Sequence, residues 1–133
     1  SIIKGALSYI GKDAHIATIG WCMGGGWSMQ TVLLAGMQAD ACVMYYGMPE
    51  SNMDKLKKLH APVLGIFAKQ DQWITPAVAE TFKKNMKEAG KKLTVVSYDA
   101  DHAFANPSNP KYNKTAAAEA HKEALAFLKN NLK

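Results

Sequence analysis

Apolar and polar positions along this chain switch repeatedly between a two-residue rhythm and one of three to four residues, which predicts strands separated by helices. Ile2, Ile3, Ala6, Leu7 and Ile10 fall at helical spacing from Ser1 to Ile10, and Gly11 ends the run. His15 to Trp21 reads as a first strand, and Trp27 to Leu34 as a helix closing near Gly36. Ala41 to Tyr46 is apolar almost throughout, as expected of a strand in a parallel sheet covered on both faces. Pro49 and Ser51 open a loop, and a short helix runs from Asn52 to Leu59 with Asn52 or Ser51 as its cap. Pro62 introduces a third strand, Val63 to Phe67. Thr75 as N-cap and Pro76 in the first helical position begin a helix that runs to Ala89 and stops at Gly90. Leu93 to Tyr98 is a fourth strand, and after a loop holding Pro107 and Pro110 a last helix spans Thr115 to Leu132. This order predicts an α/β fold, a parallel sheet with helical crossovers. No repeat or linker divides the chain, so residues 1–133 read as one domain.

Composition narrows the picture. With 48% hydrophobic residues among 133, the chain is globular rather than disordered. Its net charge of +5 comes mostly from lysines such as Lys83, Lys84, Lys87, Lys122 and Lys129 on presumptive helix faces, with no arginine-rich run. A solvated surface is expected, and no nucleic-acid partner. No segment approaches the roughly twenty apolar residues of a membrane span. There is no initiator methionine and no secretory signal, so Ser1 reads as an internal residue of a longer precursor. The two cysteines, Cys22 and Cys42, fall in a glycine-rich turn and in an apolar strand. No structural disulfide is expected, and a reducing, cytoplasmic setting follows.

Chemistry gathers around Gly20 to Gly25, which read G-W-C-M-G-G between the first strand and the following helix. A nucleophile on a sharp strand-to-helix turn needs small residues two before and two after it, and Gly20 and Gly24 meet that need. The helix end aimed at Cys22 favours thiolate over thiol, and the N–H of Met23 is placed to stabilise an oxyanion. Parallel sheets collect chemistry beyond the carboxyl ends of their strands. Besides Cys22, the residues there are Asp71 after the third strand and His102 after the fourth. Their order, nucleophile then acid then histidine, is that of the α/β-hydrolase arrangement. His102 would serve as base and then acid, Asp71 would orient the imidazole, and Cys22 would carry an acyl thioester. Asp99, Asp101 and His102 lack a second histidine at ligand spacing, so no metal is expected. Cys42 reads as core packing, and Met23 and Met48 as residues that could line a pocket. A thiol-exchange role for Cys22 lacks a nearby resolving cysteine.

Four stretches, G-W-C-M-G-G, Y-Y-G at Tyr45 to Gly47, F-A-K-Q-D at Phe67 to Asp71, and D-H-A-F-A at Asp101 to Ala105, resemble the dienelactone hydrolase family in order and spacing. The resemblance covers nearly the whole chain. It implies the carboxyl-terminal half of an α/β-hydrolase fold, a three-layer sandwich of about four parallel strands with flanking helices. It also implies a triad of Cys22, Asp71 and His102, a small ester or lactone as substrate, and a cytosolic enzyme without metal or cofactor. Trp21, Tyr46, Trp73 and Phe104 are candidates for an aromatic substrate wall. Two features depart from the family. Its members are much longer, and their amino-terminal half supplies the first strands, a second oxyanion donor, a glutamate near the nucleophile and a substrate-gripping arginine. The family also carries an arginine four residues after the catalytic histidine, where this chain has Asn106. The elbow strand is therefore expected to be an apolar, unpaired edge that pairs with a second copy or with an amino-terminal fragment. The alternative to a hydrolase is a catalytically impaired carboxyl-terminal fragment that keeps the fold.

Overall fold

The computed structural model describes residues 2–133, so Ser1, both as the start of the first helix and as an internal residue of a precursor, lies outside the described residues. Four strands, β1 (Ile16–Trp21), β2 (Ala39–Tyr45), β3 (Val63–Ala68) and β4 (Leu93–Tyr98), form one parallel sheet in chain order. The helices are α1 (Ile2–Ile10), α2 (Met23–Ala35), α3 (Met53–Lys57), α4 (Pro76–Glu88) and α5 (Lys114–Asn131), with a short 3₁₀ turn at Gly36–Gln38. Sequence-based boundaries agree within a few residues except at α2. That helix begins at Met23, directly after Cys22 and four residues before the expected Trp27. Gly24, Gly25 and Gly26 are poor helix formers in isolation, but close packing decides their conformation. A Cβ on Gly25 would lie 2.9 Å from the Tyr45 carbonyl oxygen and 3.0 Å from the Cα of Gly47.

Two apolar layers sandwich the sheet. On one face Met29 and Val32 of α2, Leu56 of α3, and Phe82 and Met86 of α4 pack against Cys42, Met44, Val63 and Phe67. On the other, Ala116, Ala120 and Ala124 of α5 present a small-residue stripe to Val43, Tyr45, Leu64 and Ile66. Side chains four apart on a helix share one face, and alanines there let α5 lie close to the sheet. Every residue of β3 and all but one of β2 are buried, whereas β1 leaves Ile19 and Trp21 exposed. Cys42 is fully buried and packs in the core as expected. Ser28 stitches the sheet to α2: its hydroxyl donates to Thr18 Oγ1 at 2.8 Å and lies 3.0 Å from the Val43 carbonyl. Asn52, one of the two residues expected there, and Thr75 cap α3 and α4, and Asn113, which the sequence reading did not single out, caps α5; each accepts a backbone N–H bond. No helix among the described residues is long and apolar enough to cross a membrane.

Candidate active site

The three non-glycine residues with positive φ among the described residues are Cys22 (56°), Tyr46 (36°) and Ala103 (62°). All three sit beyond the carboxyl ends of strands, at β1, β2 and just after β4. Left-handed backbone is costly for side chains with a Cβ and clusters where a site needs it. Pairing of the sheet continues past the strand ends and pins the turns at Cys22 and Tyr46. Cys22 donates its N–H to the Tyr45 carbonyl at 3.0 Å, and Tyr46 donates to Ile66 at 2.7 Å. Lys69 and Gln70 donate to Tyr98 and Ala100 at 2.8 and 3.0 Å.

The elbow at Cys22 rests on a close crossing of strand and helix. A Cβ on Gly20 would stand 2.0 Å from the Gly24 carbonyl oxygen. Gly24 itself does not carry the steric role expected of it, because a Cβ there would meet nothing within 4 Å. Its side chain would leave the helix into open space, and the second close approach belongs to Gly25 against Tyr45 and Gly47. Met23 is the first residue of α2, where backbone N–H groups lack intrahelical acceptors.

Asp71 and His102 come together as the sequence predicted. His102 Nδ1 lies 2.6 Å from Asp71 Oδ2, with the carboxylate wholly buried and the imidazole partly open. The other carboxylate oxygen accepts the N–H groups of Trp73 at 2.8 Å and Ile74 at 2.9 Å. With both oxygens occupied, Asp71 cannot rotate away. The Asp71 bond leaves the other imidazole nitrogen, Nε2, for chemistry. Tyr46 packs beneath the imidazole with ring centroids 5.0 Å apart. Burial first and nearness to Cys22 second push the Tyr46 phenol up, so it stays neutral.

Burial, and after it the negative charge of Asp71, push the Cys22 thiol above its ordinary value, which opposes the preference for thiolate expected from the helix end.

The remaining candidates separate. Trp73 is 70% exposed and meets His102 edge to face at 5.4 Å. Trp21 is exposed and stacks on Tyr45. Phe104 is fully buried, wedged against Tyr46 and Tyr98, and touches the site through Tyr46. Met23 and Met48 are exposed and together line a shallow pocket with Gly26, Trp27 and Gln30. Asn106 accepts the N–H of Ser108 at 3.0 Å and so braces the loop after His102. Asp99 accepts from Gln70 at 2.8 Å, and Asp101 faces Lys111 at 3.8 Å. Among the described residues no group of three metal-binding side chains forms.

Sequence reasoning missed Tyr46 and Ala103 as strained positions and Glu50 as an anchor. Glu50 holds the loop after β2 by accepting from Gln30, Ser51 and Asn52. Burial opposes its charge, but those bonds and Lys55 outweigh burial and lower its pKa. An acid beside a helix start was the available signal.

The dienelactone hydrolase family profile matches residues 4–132. This chain belongs to the dienelactone hydrolase family. A carboxymethylenebutenolidase of Pseudomonas sp. strain P51 is 31% identical over 118 residues, covering 88% of this chain and 48% of that protein. The carboxymethylenebutenolidase of Pseudomonas putida is 30% identical over 119 residues, covering 88% of this chain and 49% of its own. The fold is shared with a dienelactone hydrolase-like promiscuous phosphotriesterase from metagenomic libraries. Their TM-score is 0.83 at 17% identity, over 98% of this chain and 60% of that one. The chain spans about half the length of the curated family members it matches.

Proposed function

We propose that this chain carries the hydrolytic triad of a dienelactone hydrolase-like enzyme acting on small esters or lactones. The observation that carries this reading is the 2.6 Å contact between His102 and a buried, doubly satisfied Asp71, beside a nucleophile held at a φ of 56°. His102 Nε2 takes the Cys22 proton, and the sulfur attacks the carbonyl carbon. The oxygen charge that develops falls toward the N–H of Met23. The tetrahedral intermediate collapses, the C–O bond breaks, and the leaving oxygen receives the proton from Nε2 to give an acyl thioester and an alcohol. Water then gives a proton to Nε2 and attacks the thioester. Cys22 recovers that proton and the carboxylic acid departs. Asp71 holds the imidazole tautomer and stabilises its cation. Both cysteines are free, which suits a cytoplasmic place of action.

Iodoacetamide is expected to label Cys22 stoichiometrically and to stop p-nitrophenyl acetate turnover. Cys22→Ala and His102→Ala should each lower kcat by about a thousandfold or more. Hydrolysis that survives both substitutions would falsify the triad.

A second reading rests on the chain's length. It spans about half of its relatives, and Met23 is the one oxyanion donor assigned here. A site short of one such donor loses on the order of a hundred- to a thousandfold in rate, which describes a segment that keeps the fold with impaired catalysis. The apolar free edge of β1 is read under either view as the face that pairs with a second copy or with an amino-terminal fragment.

A further inference from the structure

The imidazole of His102 has two aromatic neighbours of opposite character. Tyr46 is buried, with its ring centroid 5.0 Å away. Trp73 meets the imidazole edge to face at 5.4 Å but leaves 70% of its surface to solvent. The exposed indole is not a loose surface group. Its backbone N–H is held by Asp71 Oδ1 at 2.8 Å, the next residue, Ile74, is buried and donates to the same oxygen at 2.9 Å, and Thr75 caps α4 immediately after. One carboxylate therefore holds both the imidazole, through Oδ2, and the backbone from which the indole projects, through Oδ1. In any ester hydrolysed here, the leaving oxygen must come within hydrogen-bond reach of His102 Nε2. Substituents on that oxygen then fall beside Trp73, the open aromatic neighbour of the base.

We propose that Trp73 is a specificity-determining residue, a stacking platform that selects esters whose leaving group is planar and conjugated, such as aryl esters. The proposal rests on the hydrolase reading and adds to it the class of leaving group. An offset or edge-to-face pairing with the indole strengthens binding of a flat ring by roughly two- to tenfold over its area burial alone. A saturated leaving group gains only burial.

The test compares phenyl acetate with hexafluoroisopropyl acetate, whose alcohols are similar in acidity but differ in planarity. Trp73→Ala is expected to raise KM for phenyl acetate by roughly tenfold and to change the fluoroalkyl ester by less than about twofold, while Trp73→Phe restores most of the phenyl preference. Equal losses on both esters, or none on either, overturn the proposal. A binding arm separates this outcome from failure of the hydrolase reading. Acetanilide and N-cyclohexylacetamide, which resist hydrolysis, are titrated against the wild-type chain and Trp73→Ala and followed by ligand-observed NMR. Selective weakening of acetanilide without ester turnover would retain the platform and remove the hydrolase reading. Absence of selectivity in this arm removes the platform whatever the turnover.

Discussion

At the scale of single residues, Cys22 combines two opposed influences. It stands before the first turn of α2, whose free N–H groups favour an anion. Burial and Asp71 nevertheless hold its thiol above the ordinary value. A raised pKa leaves less thiolate at neutral pH, so the alkylation rate of Cys22 should climb with pH along a curve whose midpoint lies above that of a free thiol. Asp71→Asn removes the charge that contributes to the shift, and the midpoint should then fall. Iodoacetamide kinetics over a pH series check both, and a midpoint unmoved by Asp71→Asn would exclude the carboxylate as a cause. The contact between Asp71 and His102 was legible in sequence because each residue type has a narrow chemical use and follows a readable strand. Tyr46 and Ala103 were not, since neither residue type signals left-handed backbone. Tyr46 sits in a turn pinned by continued sheet pairing, and Ala103 in a local turn closed by the N–H of Asn106.

Elements were legible where a local signal dominates. Thr75 and Pro76 fixed the start of α4, the β4 limits match the run from Leu93 to Tyr98, and Gly11 and Gly90, both at positive φ, end α1 and follow α4. The start of α2 was hidden because three consecutive glycines oppose a helix locally, while their contacts with β1 and the loop after β2 require one. This crossing yields a paired prediction. Gly20→Ala forces a methyl group onto the Gly24 carbonyl and should destabilise by about 3 kcal/mol or prevent folding. Gly24→Ala meets open space at a helical position and should stabilise by roughly 0.5–1 kcal/mol. Urea denaturation of the two variants measures the difference, and equal effects would contradict the crossing geometry.

Across the whole molecule, the least satisfied region is the outer side of β1. An apolar cavity of about 740 Å³ runs there, lined by Ile2, Ile3, Ala17, Ile19, Trp27 and Leu34 among others. An edge strand with such a flank is a template for further pairing. Sedimentation should show a concentration-dependent dimer, and Ile19→Lys should return it to monomer. A monodisperse monomer at high concentration would sink this reading. The edge was legible from the resemblance, which implied upstream strands. The groove between α1, β1 and α2 was not, because the helical rhythm of Ile2–Ile10 predicts a buried face and no residue of α1 is buried.

The order of the sheet has a consequence for how the molecule assembles. Strands one to four lie side by side in the order in which they occur in the chain, so each newly formed strand docks on the one just before it through a single intervening helix. No strand waits for a distant part of the chain, and the entropy of closing each loop stays small. Cys22, Asp71 and His102 follow the first, third and fourth strands. The contact between His102 and Asp71 therefore depends on β4 pairing with β3.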